Sequence, residues 1–155
     1  MIAVLQRVNE ASVTVLGKIT GKIGKGLYIL LGVERGDTEA DACALAEKIS
    51  RLRIFEDENE KMNLSVNDVC GEVLVVPNFT LNANYSHGNR PDYLNSASPA
   101  EAEELFEFFK CRMKELVKGV ESGVFGADMT SEIVTSGPVT IVMKSDVLLG
   151  KDKKK

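Results

Sequence analysis

A chain of 155 residues corresponds to a single domain at roughly 150 residues per domain, large enough to bury a core without disulfide or metal staples. Lys plus Arg number 19 against 23 for Asp plus Glu, a net charge of −4, which excludes a protein that coats nucleic acid by charge alone but leaves room for one that touches a few phosphates. Hydrophobic residues at 44% and charged residues at 27% are ordinary globular values, and no apolar run reaches the ~20 residues that span a bilayer. A soluble, cytoplasmic protein with no membrane contact is therefore expected. Cys43, Cys70 and Cys111 are odd in number, widely spaced and free of any CxxC pair, so neither a disulfide framework nor a ribbon-type zinc site is suggested. At the start, Gln6 and Arg7 cut the apolar stretch too short for a signal-peptide core.

In chain order, Ile2 to Val8 and Ala11 to Val15 are rich in branched apolar residues, and Lys18 to Ile23 alternates after Gly17. These predict three strands, with hairpin turns at Gly17 and at Gly24 to Gly26. Leu27 to Val33 is almost continuously apolar and predicts a central strand buried on both faces. Asp37 or Thr38 caps a predicted helix to about Leu52, whose inner face carries Ala42, Leu45, Ala46, Ile49 and Leu52. Extended structure resumes at Arg53 to Phe55, turns at Asp57 to Asn59, and returns as a strand over Glu72 to Val76 that Pro77 ends.

A long polar loop over Asn82 to Ser98 leads to Ser98-Pro99-Ala100-Glu101, a capping box with proline at the first helical position. The second helix then buries Leu105, Phe109, Met113 and Leu116, with Gly119 as its stop. Gly123 to Val134 is extended, with Met129, Ser131 and Ile133 on one face. Thr135 to Pro138 interrupts it, and Val139 to Met143 makes the last strand. The pattern is α+β: a largely antiparallel, barrel-like sheet with two main helices. A domain over residues 1–143 precedes a lysine-rich tail over 144–155, expected to be frayed and solvated.

Conventional catalytic machinery is scarce. His87 is the sole histidine and sits in the polar loop, and without a G-x-S-x-G elbow a Ser-His-Asp or Cys-His mechanism is a poor fit. The spacings from Cys43 through Cys70 and His87 to Cys111 match no zinc pattern, so an exposed histidine and three packed thiols are expected, with no metal and no cofactor. Gly17 to Ile23 falls one residue short of a phosphate loop, and Gly24-Lys25-Gly26 lacks the third glycine of a dinucleotide fingerprint. The glutamates of the second helix read as a solvated face. Any catalysis would then lean on main-chain amides, loop hydroxyls and the substrate's own groups. Two segments stand out, Pro77-Asn78-Phe79-Thr80-Leu81 at a strand end and Thr135-Ser136-Gly137-Pro138-Val139-Thr140 between strands, although each could be only a turn with a packed aromatic.

Those segments resemble, in order with Gln6-Arg7-Val8, Arg53-Ile54-Phe55, Lys61 to Ser65, Gly88-Asn89-Arg90-Pro91 and Phe125 to Met129, the D-aminoacyl-tRNA deacylase family. The resemblance spans Met1 to about Met143. The family's signatures are Ser-Gln-Phe-Thr and Asn-x-Gly-Pro-Val-Thr; the chain keeps Phe79, Thr80, Gly137, Pro138, Val139 and Thr140 but places Pro77, Asn78 and Thr135 where Ser, Gln and Asn are usual. Pro77 removes a hydroxyl and an N–H, and Asn78 is one methylene shorter than Gln, so the family's hydrogen bonds there cannot all be reproduced.

The resemblance implies a tRNA-binding hydrolase of translation proofreading, acting on D-aminoacyl- and glycyl-tRNA as a homodimer whose active site lies between subunits. It implies a cis Gly137-Pro138 loop that, with Pro77 and Asn78, binds substrate. Arg7 buttresses that loop, and amides at Phe79 and Thr80 face the developing oxyanion. Thr80 as covalent nucleophile is the weaker option, since no base stands beside it; Phe79 is either a core aromatic or a neighbour of the adenine. Pro77 and Thr135 also resemble a related branch that removes L-alanine from threonine tRNA. A non-catalytic nucleic-acid-binding role is a further alternative, motivated by the lysine-rich tail.

Overall fold

The computed structural model describes Met1–Lys151. Strand β1 (Ile2–Val15) runs without a break, joining the two strands expected from its sequence. It tolerates the exposed polar pair Asn9 and Glu10 because the ladder with the last strand shifts register on either side of Val8, and an irregularity of that kind lets a strand bend without ending. β2 (Lys18–Ile23) folds back on Ala11–Val15 and β3 (Gly26–Gly32) pairs antiparallel with Ile2–Val8. The Gly17 turn is therefore a hairpin, as its composition predicts, whereas Gly24 to Gly26 carries the chain from β2 to β3 along the same edge of β1 without pairing the two, which corrects the expectation of a second hairpin.

Thr38 is the N-cap of α1 (Glu39–Ser50). The buried carboxylate of Asp41 accepts hydrogen bonds from the Thr38 amide and hydroxyl and from Lys151 Nζ. Burial alone would raise the Asp41 pKa, but bonds from Lys151, Ser145 and Thr38 outweigh it and hold the carboxyl well below its ordinary range. A small hairpin of β4 (Phe55–Glu56) and β5 (Met62–Leu64) follows, its turn fixed by Asp57 Oδ1 accepting from the amides of Asn59 and Lys61.

β6 (Glu72–Pro77) lies parallel to β3, and β7 (Gly119–Ser122) lies parallel to β6. The sheet, in order β2-β1-β3-β6-β7 with β8 (Thr130–Lys144) on the far side of β1, keeps the expected antiparallel pairing in every ladder of β1 and is mixed only through the parallel ladders that β6 makes with β3 and β7. The reason is topological: α1 with the β4–β5 hairpin separates β3 from β6, α2 (Pro99–Leu116) separates β6 from β7, and crossovers of that length return a strand parallel to its neighbour. The barrel-like curvature is real, with β2 and β7 closing toward each other so that a Cβ on Gly21 would come 3.0 Å from the Ser122 carbonyl.

β3 is buried on both faces, as its apolar run predicts. Leu27, Ile29 and Leu31 join Val73 and Val75 beneath the helices, while Tyr28 joins Leu74 and Val76 on the opposite side. The Tyr28 hydroxyl meets Ser131 Oγ at 2.7 Å, and Met129 and Ile133 pack on the same cluster.

The capping box of α2 forms as read from the sequence, with Ser98 Oγ accepting from the Glu101 amide and Glu101 accepting from the Ser98 amide. The helix ends earlier than Gly119: Val117 is already extended, so Gly119 opens β7. Its buried stripe includes Phe106 besides Leu105, Phe109 and Met113, while Leu116 is only partly buried.

Residues 135–138 do not interrupt the final strand as the sequence suggests; β8 carries them through on shifted register. Beyond it, α3 (Ser145–Leu149) folds onto the domain with Ser145 buried, so the tail is ordered structure rather than a frayed end as far as Lys151, and its remaining lysines lie outside the described residues. His87 is exposed as expected, but Cys70 and Cys111 are exposed too and Cys43 is only partly covered, so the expectation of three packed thiols is corrected. Cys70 sits at a tight turn with φ 51°. No described helix is long and apolar enough to cross a membrane.

Candidate active site

Where the parallel ladder of β3 and β6 runs out, Leu31 faces Pro77, and the Asn78 amide makes the last rung by donating to the Leu31 carbonyl at 2.8 Å. Pro77 has no N–H to continue a ladder, and the chain turns at once into a short 3-10 segment, Phe79–Asn82, capped by Asn78. Asn78 Oδ1 accepts from the Thr80 amide at 3.2 Å and also from the Thr80 hydroxyl. Leu81 and Ala83 amides bond back to the Asn78 and Thr80 carbonyls. The Phe79 amide has no acceptor among the described residues, which leaves one main-chain donor of this turn open.

The turn is held from beneath. Asn82, 4% exposed, donates through Nδ2 to the Val33 carbonyl at 2.7 Å and to Ser96 Oγ at 3.2 Å, and Ser96 Oγ donates to the Phe79 carbonyl at 3.4 Å. The Phe79 ring is 59% exposed and stands edge-on to Tyr93, centroids 5.0 Å apart. Phe79 is therefore not the core aromatic that one reading of the sequence allows.

Beside this turn lies a cavity of about 490 Å³. Pro77, Asn78 and Phe79 line it together with Tyr93, Ser96 and Ala97 and with the apolar Phe106, Phe125, Ala127 and Met129, among others. No charged side chain lines it. Such a cavity suits a flat, weakly polar group, and the polar atoms at its rim are few enough to orient that group rather than to bind it by charge. Phe106 reaches the wall because it follows Leu105 on the buried face of α2, a position that the three- and four-residue spacing passes over. Phe125 to Met129 is legible only as a family motif, and Tyr93 carries no signal beyond being an aromatic in a polar loop.

Gly137 and Pro138 lie elsewhere. Their peptide bond is cis and Gly137 has φ 122°; both residues are exposed, and neither lines the cavity beside Phe79. The structure of one chain thus brings Pro77, Asn78, Phe79 and Thr80 together and leaves Gly137 and Pro138 apart from them. Behind the Gly-Pro segment sits Arg7, 7% exposed. Its Nε donates to the Ser136 carbonyl at 3.1 Å, its Nη1 to the Ile54 carbonyl at 2.9 Å, and its Nη2 to Glu56 Oε1 at 3.3 Å. A Cβ on Gly137 would stand 3.0 Å from Arg7 Nη2, so the guanidinium packs on the loop as well as bonding to it.

The family described as D-Tyr-tRNA(Tyr) deacylase matches residues 4–144. A D-aminoacyl-tRNA deacylase of Caldicellulosiruptor saccharolyticus is 54% identical over 145 residues, covering 94% of this chain and 97% of the relative. One of Persephonella marina is 52% identical over 148 residues, covering 96% and 100%. Among solved structures, the c-Myc DNA Unwinding Element Binding Protein superposes with a TM-score of 0.88 at 38% identity, covering 93% of this chain and 98% of that one. A probable eukaryotic D-amino acid tRNA deacylase shares the fold at TM-score 0.78 and 15% identity, covering 92% and 97%. With all but the first residues of β1 and the terminal α3 inside the match, and both signature segments with them, the chain belongs to the D-Tyr-tRNA(Tyr) deacylase family.

Proposed function

We propose that the chain hydrolyses the ester joining a D-amino acid to the terminal adenosine of tRNA, releasing the free D-amino acid and tRNA. The observation that carries this reading is the Phe79 amide, without an acceptor among the described residues and belonging to a residue that lines an uncharged cavity, a main-chain donor available to a carbonyl oxygen that gains negative charge. In hydrolases that use such a donor its loss typically costs ~100- to 1,000-fold in rate. Water adds to the ester carbonyl, the tetrahedral carbon collapses, and the nucleoside oxygen leaves with a proton. The 2′-hydroxyl of the adenosine assists that step, in keeping with a wall that holds no charged or histidine side chain. The adenosine end lies against Phe79 and the apolar wall of the cavity, with Pro77 and Asn78 at its edge.

Selection by handedness falls to the Gly137-Pro138 loop, whose main-chain oxygens hold the substrate's α-amino group so that an L side chain meets the wall. Glycine, with no side chain, escapes that exclusion, so glycyl-tRNA is a second substrate. Because Gly137 and Pro138 lie outside the cavity of their own chain, the complete site takes the loop from a second copy, as a homodimer. The partner edge of β8, which pairs only with β1 among the described residues, and the exposed Val134 and Val142 support that assembly.

Two other readings each have an observation behind them. Pro77 and Thr135 favour a branch that removes L-alanine from threonine tRNA. The 38% identity to a protein named for binding a DNA unwinding element favours DNA binding without hydrolysis. Deacylation assays with D-aminoacyl-, glycyl- and L-alanyl-tRNA separate them. Turnover of the first two is expected. Turnover of the L-alanyl substrate alone would replace this function by the related branch, and binding without any hydrolysis would replace it by the nucleic-acid-binding role.

A further inference from the structure

Asn78 differs from the family's usual Gln, and its side chain does something that a longer amide at that position is poorly shaped to do. Its Oδ1 reaches two residues ahead in its own turn and takes both donors of Thr80, the amide at 3.2 Å and the hydroxyl. This is an Asx-type cap, whose short side chain lets a carbonyl oxygen stand in for a main-chain acceptor. Two consequences follow for the neighbouring groups. The Thr80 hydroxyl spends its only proton on Asn78, so it is neither a free donor to substrate nor poised as a nucleophile beside a base. The Thr80 amide is likewise occupied, and of the two amides at the head of the turn only that of Phe79, a residue of the cavity wall, is left without an acceptor among the described residues.

We infer that Asn78 is a positioning residue of this enzyme: by capping Thr80 it fixes the turn so that Phe79 N–H alone forms the oxyanion donor, in place of a two-amide arrangement. The Ser96 hydroxyl, donating to the Phe79 carbonyl at 3.4 Å and itself held by the buried Asn82, fixes the other side of the same residue. Pro77, lacking an N–H, adds no competing donor from the preceding residue.

This inference rests on the deacylase reading, and its test separates the two. In the full chain, Asn78→Ala is expected to lower kcat for D-aminoacyl-tRNA by about 10- to 100-fold, with KM changed less than about twofold, as displacement of a group that acts only in the transition state requires. Asn78→Ser, which returns a neutral acceptor to the turn, is expected to recover most of that loss. Amide hydrogen exchange followed by NMR supplies a readout independent of turnover. The Thr80 amide is expected to be protected in the unsubstituted chain, to exchange at least about tenfold faster in Asn78→Ala, and to regain protection in Asn78→Ser. Thr80 exchange that is unchanged by Asn78→Ala overturns the inference whether or not the chain hydrolyses anything. An Asn78→Ala enzyme with normal kcat overturns it as well. Thr80 exchange that follows the cap in a chain without deacylase activity leaves the turn as described and removes the function instead.

Discussion

Replacing Arg7 by alanine removes three hydrogen bonds from one nearly buried guanidinium, and they are not equal. The Ile54 carbonyl at 2.9 Å belongs to a residue 6% exposed, whereas Glu56, at 3.3 Å, has a side chain 52% exposed. Bonds from a charged donor to buried carbonyls contribute about 1.5–3 kcal/mol each, and an ion pair with an exposed carboxylate contributes about 0–1 kcal/mol. Water entering the roughly 200 Å³ recess lined by Arg7, Lys25 and Ser136 recovers part of the carbonyl terms, leaving a net loss of about 2–4 kcal/mol for Arg7→Ala. With a urea slope of about 1–3 kcal/mol/M for a domain of this size, the unfolding midpoint falls by about 1–2 M. Arg7→Lys keeps the charge but cannot reach Ser136 and Ile54 together, so it is expected to fall between the alanine variant and the parent. Glu56→Ala is expected to stay within about 0.5 kcal/mol of the parent. Urea unfolding followed by circular dichroism measures all three, and deacylation measured beside it is expected to drop on the order of 100-fold in Arg7→Ala as the Gly-Pro segment loses its support. An Arg7→Ala midpoint within about 0.3 M of the parent, or a Glu56→Ala loss equal to that of Arg7→Ala, would refute the assignment of the guanidinium to the two carbonyls.

Gly26→Ala puts a Cβ 1.9 Å from the Glu72 carbonyl, inside the parallel pairing of β3 and β6. It is expected to lower stability by at least about 3 kcal/mol, beyond ordinary overpacking, or to abolish soluble expression, as judged by unfolding or by yield. Ser98→Ala opens the capping box of α2 and is expected to cost about 1 kcal/mol, lowering Tm in calorimetry by about 2–4 °C. Acid titration of stability is expected to show the Asp41 contribution. Because its folded carboxyl titrates below the ordinary range, that stability is fully present above a pH of about 4 and is lost as pH falls further toward the folded value. Asp41→Asn should flatten that decline, and a curve unchanged by the substitution would contradict the assigned environment.

The elements that the sequence announces are those whose signals are local. Ser98 to Glu101 carry the entire N-terminus of α2 in four residues, and the unbroken apolar run in β3 is what burial against two clusters demands. Strand order is not legible in that way. Whether β6 runs with or against β3 depends on where the intervening α1 and hairpin return the chain, and nothing in Glu72 to Val76 encodes it. The continuity of β8 through Ser136 and Gly137 depends on Arg7, more than a hundred residues away, so a window containing Gly-Pro reads as a break. Burial of Ser145 and the Lys151–Asp41 contact likewise come from docking on α1, which a lysine-rich composition hides.

For the site the division is similar. Phe79 and Thr80 are reached through family resemblance, since to composition they are a turn with an aromatic. Their roles in the cap and in the open amide come from geometry that only the fold supplies. Phe106 is hidden for the opposite reason: it lies among so many apolar neighbours on α2 that periodicity treats it as one more core residue, although it also lines the cavity.

The guanidinium of Arg7 touches residues 54, 56 and 136 at once, and so ties three stretches scattered along the chain into one mechanical unit. A designer who transplants the Gly-Pro loop to another scaffold therefore has to carry the first strand and the Phe55 hairpin with it. By the same geometry, lineages that drift at any one of the three stretches are expected to show matching change at the other two.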